Sequence, residues 1–293
     1  MTLEKALIKD VTIALLKRAE TTLPSDVKAA LRRAYEREEH EIARVQLEAM
    51  LENVKLAEEL ERPVCQDTGL PLFFVTLGSS TINLSDIEAG IREGVQAATE
   101  SIPLRSNVVD PITRAGKGGN IGDRMPYISY TIDPALDGIE LLAFPKGGGS
   151  ENMSAFTMLT PRPESEAVRA IKTFVLELVV NAAGKPCPPT IIGVGLGGSA
   201  DIAMKLAKIA LLRPVGMRHK EVRIAQMEEE LLEAVNNTGI GPMGLGGKTT
   251  ALDVHIETAS THITSLPVAV TFQCWAARKA SARIYPVGSV EYV

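Results

Sequence analysis

Apolar positions divide the chain into a helical first fifth and a mixed remainder. Leu3, Leu7 and Leu15 open an apolar stripe at helical spacing. Pro24-Ser25-Asp26 reads as the start of a second, longer helix carrying Leu31, Ala34, Leu47, Met50, Leu51, Val54 and Leu60 among dense Glu, Arg and Lys. Arg62-Pro63 ends it, because the residue before a proline is pushed out of the helical region. The next elements expected are a buried strand over 70–77, a helix over 84–99 with Ser85 as N-cap, and a long loop over 103–126 rich in Gly, Pro, Asn and Arg. Strands follow over 127–132 and 139–143, and a helix over 164–183. A strand over 190–195, helices over 199–212 and 220–236, a glycine-rich loop and two final strands complete the pattern. Helices and short strands without strict alternation predict an α+β (mixed α/β) fold: a helical region to about residue 62, then an irregular mixed α/β part, the whole of 1–293 forming one catalytic domain.

Composition narrows the class. Of 293 residues, 45% are hydrophobic and 23% charged, which is ordinary for a globular protein, and the length supports a substantial core. The formal net charge of -5 argues against a nucleic-acid partner. No apolar run approaches the roughly 20 residues needed to span a bilayer, and the amphipathic start lacks the apolar core of a signal peptide. Three widely spaced cysteines fit a secreted disulfide framework poorly, so a reducing, cytoplasmic setting is expected.

Those cysteines are the candidate chemistry. Cys65 stands in Val-Cys-Gln-Asp-Thr-Gly, Cys187 in Lys-Pro-Cys-Pro-Pro and Cys274 in Phe-Gln-Cys-Trp. Three thiolates drawn from distant segments can hold a metal or cluster with one position open for substrate; equally, three unrelated cysteines can simply be buried. Gly193 to Gly198 satisfies G-x-G-x-x-G after a strand and before a helix, but no second strand tipped by an acidic residue follows, so the dinucleotide reading fails. Gly246-Gly247-Lys248-Thr249 lacks the glycine that a phosphate loop needs, Pro242 standing there instead. The four histidines have no ligand spacing, and no Gly-x-Ser-x-Gly elbow occurs. Lys146 to Asn152, with three successive glycines, reads as either a backbone nest for an anion or a flexible hairpin loop. Arg105 is a candidate carboxylate fork or a solvated surface arginine.

In chain order, Cys65-Gln66-Asp67-Thr68-Gly69, Leu104-Arg105 through Asp110-Pro111, Lys146 through Asn152, Cys187-Pro188-Pro189 with Gly193 through Gly198, Gly239 through Gly247, and Leu266-Pro267 through Cys274-Trp275 resemble the iron–sulfur hydro-lyases, the class I fumarases and L-tartrate dehydratases. The ordered set is specific where each piece alone is weak, and the chain looks like the α subunit. The resemblance implies a [4Fe-4S] cluster on Cys65, Cys187 and Cys274 with one open iron position. It further carries Gln66, Asp67, Arg105, Gly148, Ser150, Glu151 and Asn152 over to substrate binding; Asp67, beside a cluster ligand, is the catalytic candidate, for proton transfer or for orienting the group that performs it. The implied reaction is hydration of fumarate to malate, with L-tartrate dehydration as the alternative. A dicarboxylate substrate, a β subunit completing the site and pairing of α subunits are the implied partners; nucleic acid and membrane are not. A redox iron–sulfur protein and a non-catalytic subunit are the rival readings. Arg124 stands where many relatives carry a second asparagine.

Overall fold

The computed structural model describes residues 5–79, 83–116 and 118–293, so the stripe position Leu3 lies outside the described residues. The mixed α/β architecture is as expected. Contacts divide the chain into two compact units. The first comprises the segment ending at Pro24 together with Asn53–Gly148 and Arg278–Val293, and the second comprises Ser25–Glu52 and Gly149–Ala277.

In the first unit a five-stranded sheet runs in the order β2-β1-β3-β8-β9, from β1 (Leu70–Leu77), β2 (Tyr127–Ile132), β3 (Ile139–Lys146), β8 (Ala280–Ile284) and β9 (Val290–Tyr292). β1 pairs parallel with β2 and antiparallel with β3. Helices α1 (Lys5–Thr21) and α4 (Leu84–Ser101) bury Ile8, Val11, Leu15, Ile87, Ile91 and Val95 against Phe73, Val75, Ile139 and Leu141 of the sheet. Buried positions three and four apart on each helix give the apolar stripe that holds it to the strands.

The second unit carries a four-stranded sheet, β4-β7-β5-β6, built from β4 (Ala155–Leu159), β5 (Thr190–Gly198), β6 (Ala251–Thr261) and β7 (Leu266–Gln273). Alternation along β5 decides what covers each face. Ile192, Val194 and Leu196 share a core with α6 (Glu164–Ala182) and α8 (Val222–Asn236). Gly193 and Gly195 face α7 (Ala200–Ala210) so closely that a Cβ on either would stand 2.1 and 2.0 Å from the carbonyl oxygens of Ala207 and Ala203. The glycine repeat is therefore a packing device that seats a small-residue helix on a strand.

Several expected boundaries move. The long helix is broken into α2 (Ser25–Arg37) and α3 (Glu41–Leu60) because the buried Glu38 turns its carboxylate onto the amides of Glu39 and His40, both at 3.0 Å, and takes the Lys248 amide at 2.7 Å. α4 is capped by Asn83, whose side chain accepts from the Ser85 amide, so Ser85 is the recipient and not the cap. α8 begins at Val222, and β3 runs on to Lys146. Among the described residues no helix is long and apolar enough to cross a membrane.

Candidate active site

Register in the first sheet places one group of the candidate residues. Leu70 pairs with Lys146, so the residues entering β1 lie beside those leaving β3. Asp67 uses that proximity. Its Oδ2 accepts the Gly148 amide at 2.7 Å, and its Oδ1 accepts the Gly69 amide at 2.9 Å. Gly69 is required here: its φ is +76°, and a Cβ would stand 2.8 Å from the Lys146 amide nitrogen. Glycine reaches that conformation without the steric cost other residues incur.

The Gly147–Gly149 segment was expected as a nest or a hairpin loop. It instead opens a single helical turn, α5 (Gly148–Glu151), and the anion its first amide meets is the Asp67 carboxylate. The neighbouring Lys146 is buried, with Nζ donating to the Gly147 carbonyl at 3.3 Å.

Arg105 lies in the long loop, with its backbone held from both sides. Its amide donates to Thr68 Oγ1 at 3.0 Å, and its carbonyl accepts from the Asn120 side chain at 3.1 Å. The guanidinium is exposed and makes no ion pair among the described residues. Asn107 reaches the same loop, donating to the Gly69 carbonyl at 2.8 Å and making a long 3.5 Å contact to Asp67 Oδ1. Gln66 is exposed beside Asp67. Arg124 is exposed too, at a tight turn where Gly122 and Met125 exchange backbone hydrogen bonds. Its φ of 57° lies in the left-handed region that asparagine tolerates best among residues with side chains.

Cys65 sits half-buried in the loop between α3 and β1. That loop is pinned just before it, since the Val64 amide donates to the Glu20 carbonyl at 2.8 Å and its carbonyl accepts from the Asn53 side chain at 3.0 Å. Glu20 is itself buried and ion-paired with the buried Arg278, Oε2 to Nη1 2.8 Å. Burial pushes the Glu20 carboxyl up to about 7, Arg278 pulls it back, and the negative charge of Asp67 adds to the rise.

The second unit brings together the other two cysteines. β5 and β7 are antiparallel with Ile191 opposite Gln273, so Cys187, just before β5, and Cys274, just after β7, lie at the same end of the sheet. The Trp275 amide donates to the Cys187 carbonyl at 3.2 Å, and the Met243 amide to that of Pro188 at 2.8 Å. Both cysteines are half-buried. Ser150 is buried, Asn152 is exposed, and Glu151 is ion-paired with Lys208 of α7 at 2.6 Å.

All three cysteines are thiols outside any disulfide, on loops at sheet ends. An all-thiol donor set is what iron–sulfur clusters take, so the residues fit such a group. Among the described residues no three His, Cys, Asp or Glu side chains converge on a position for a single ion. The thiolates of a cluster bind different irons and so need a different spacing. Sequence reasoning missed Asn107, Asn120 and Thr68. Thr68 and Asn107 lie in segments that carry the resemblance without a role assigned to them, and Asn120 had only the density of hydrogen-bonding side chains in the long loop as a signal.

A sequence model of the fumarate hydratase (fumerase) family matches residues 9–283. The chain is 53% identical to the putative L(+)-tartrate dehydratase subunit alpha of Methanocaldococcus jannaschii over 281 residues, 94% of this chain and 97% of that one. It is 35% identical to the L(+)-tartrate dehydratase subunit alpha of Escherichia coli (strain UTI89 / UPEC) over 265 residues, 90% of this chain and 86% of that one. The same subunit from Shigella boydii is 34% identical over an equal span. With matched segments that run in order and cover nearly its whole length, the chain belongs to the fumarate hydratase family.

Proposed function

We propose that this chain is the α subunit of an iron–sulfur hydro-lyase that adds water to, or removes it from, a four-carbon dicarboxylate. The observation that carries the reading is the fixed Asp67 carboxylate, two residues from Cys65, next to Thr68, on which the backbone of the exposed Arg105 is pinned. Cys65, Cys187 and Cys274 would hold a [4Fe-4S] cluster, which when bound supplies a Lewis-acidic iron for a substrate oxygen.

The chain's own groups divide the remaining work. Arg105 clamps a carboxylate in its planar fork. Asp67 holds or moves a proton at a carboxylate oxygen, since each oxygen retains a lone pair beyond the one its backbone amide occupies. Gln66 adds an amide to the substrate's polar contacts. Ser150, Glu151 and Asn152 belong to the same substrate segment. A dianion needs cationic groups at both ends. This chain offers one clear arginine for that task, so a β subunit supplies the rest, and the relatives' names describe them as alpha subunits. Pairing of α subunits is expected to use the exposed apolar residues of α3, Ile42, Val45, Leu56 and Leu60. An oxygen-sensitive cluster suits a reducing, cytoplasmic setting.

Fumarate and malate are the favoured substrate pair, in keeping with the family description; the names of the relatives favour L-tartrate as the second reading. Anaerobic assays with fumarate, L-malate and L-tartrate test this. The α chain alone should be inactive, and adding the β subunit should start turnover of one of the three. Robust turnover by the α chain alone refutes the split site, and no turnover of any of the three by the complex refutes the hydro-lyase reading.

A further inference from the structure

Asn120 is 2% exposed, and its amide group is almost fully used. Nδ2 donates to the Arg105 carbonyl and to Thr99 Oγ1, both at 3.1 Å, while Oδ1 accepts the Asn107 amide at 3.1 Å. The partners fix which end is which: a carbonyl faces the nitrogen and an N–H faces the oxygen. Thr99 Oγ1 gives its own proton to the Val95 carbonyl at 2.7 Å, leaving a lone pair for Asn120. Both residues are on α4, where Val95 and Ala98 are fully buried in the first unit's core.

This makes a continuous chain from a rigid helix to the reacting groups. Asn120 fixes the carbonyl of Arg105 and the amide of Asn107, two residues apart on one loop. Asn107 then bonds the Gly69 carbonyl and reaches Asp67 Oδ1. The loop would otherwise be a poor platform, since among the described residues of 103–126 the regular pairing is limited to the isolated bridges Val109 to Gly116 and Gly122 to Met125.

We propose that Asn120 is a positioning residue for the reaction, holding the Arg105 fork and, through Asn107, the Asp67 carboxylate in mutual register. It is a buried amide that touches no reacting atom. The kinetic consequence rests on the hydro-lyase reading above; the positioning does not.

Two measurements test it separately. In the α–β complex with fumarate or L-tartrate as probe, Asn120→Ala should raise KM about tenfold, the equivalent of one to two lost hydrogen bonds, with a smaller change in kcat and unchanged iron content. Asn120→Ala placed on Arg105→Lys should add less than about twofold, because residues acting as one unit are not additive. Thr99→Val, which keeps the side-chain shape and removes the anchor oxygen, should move KM in the same direction by a smaller factor. Full additivity of the double variant overturns the proposal, as does a loss confined to kcat. Should the wild-type complex turn over neither probe, the hydro-lyase reading fails and deuterium exchange on the full α chain decides the positioning. Asn120→Ala should then speed exchange several-fold at residues 67–69, 105–108 and 147–148 and leave 190–198 unchanged. Unaltered exchange at 67–69 and 147–148 overturns the positioning claim, and so does uniform acceleration across the chain.

Discussion

Arg278→Met removes one partner of an ion pair whose side chains are 1% and 0% exposed, leaving the Glu20 carboxyl without its cation. Breaking a buried pair in this way costs about 3–5 kcal/mol, because the remaining charge stays uncompensated. The loss depends on pH in a defined direction. The folded Glu20 carboxyl is raised to about 7 from its ordinary 4.5, mainly by burial. Its contribution to wild-type stability is therefore fully present below 4.5 and is lost as pH rises through about 7. The span is worth about 3 kcal/mol. Removing Arg278 removes the interaction that restrains the rise, so the variant's penalty grows with pH and is larger at pH 8 than at pH 5, where the carboxyl is neutral. Glu20→Leu combined with Arg278→Met replaces both charges by apolar groups and should recover most of the loss, since such replacements are often neutral or stabilising. Urea unfolding followed by circular dichroism at pH 5 and pH 8 measures all of this. A loss below about 1 kcal/mol for Arg278→Met at pH 8, or an equal loss at both pH values, refutes the reasoning.

Arg105→Lys keeps the charge and loses the planar fork, so kcat/KM for the dicarboxylate should fall about tenfold or more with iron content normal; unchanged kinetics would return Arg105 to the solvated surface. Gly69→Ala forces a side chain into φ +76° against the Lys146 backbone and should cost about 1–3 kcal/mol in urea unfolding, with a loss of activity from the displaced Asp67 loop. Glu151→Gln breaks the ion pair with Lys208, both side chains partly exposed, and should change stability by less than about 1 kcal/mol while raising KM; an unchanged KM would remove Glu151 from the substrate segment.

The parts of the fold legible in the sequence are those with a strong period. The α1 and α4 stripes and the continuous apolar run of β5 are set by burial on one face or on two, and each leaves its mark residue by residue. The break at Glu38 left no such mark, because one carboxylate accepting backbone amides ends a helix without any proline or glycine. β4, β8 and β9 are three to five residues long and too short for alternation to register. The same contrast holds at the candidate site. Cys65, Asp67, Arg105 and the glycine run stand in recognisable segments, so the sequence singles them out as candidates. Asn107, inside one of those segments, and Asn120 act through side-chain bonds to backbone atoms 13 to 38 residues away in an irregular loop, where spacing points to no particular partner. The G-x-G-x-x-G run is the reverse case. Its glycines are required by the approach of α7 to β5, and a packing constraint reproduces the outline of a ligand motif.

Iron and acid-labile sulfide, measured on the anaerobically purified chain, test the central claim most directly. A [4Fe-4S] cluster on Cys65, Cys187 and Cys274 predicts about four of each per chain, with broad visible absorbance that Ser at any one of the three positions largely removes. Wild-type chain reconstituted with iron and sulfide yet retaining less than about one iron, or three Ser variants with full cluster content, would contradict the account.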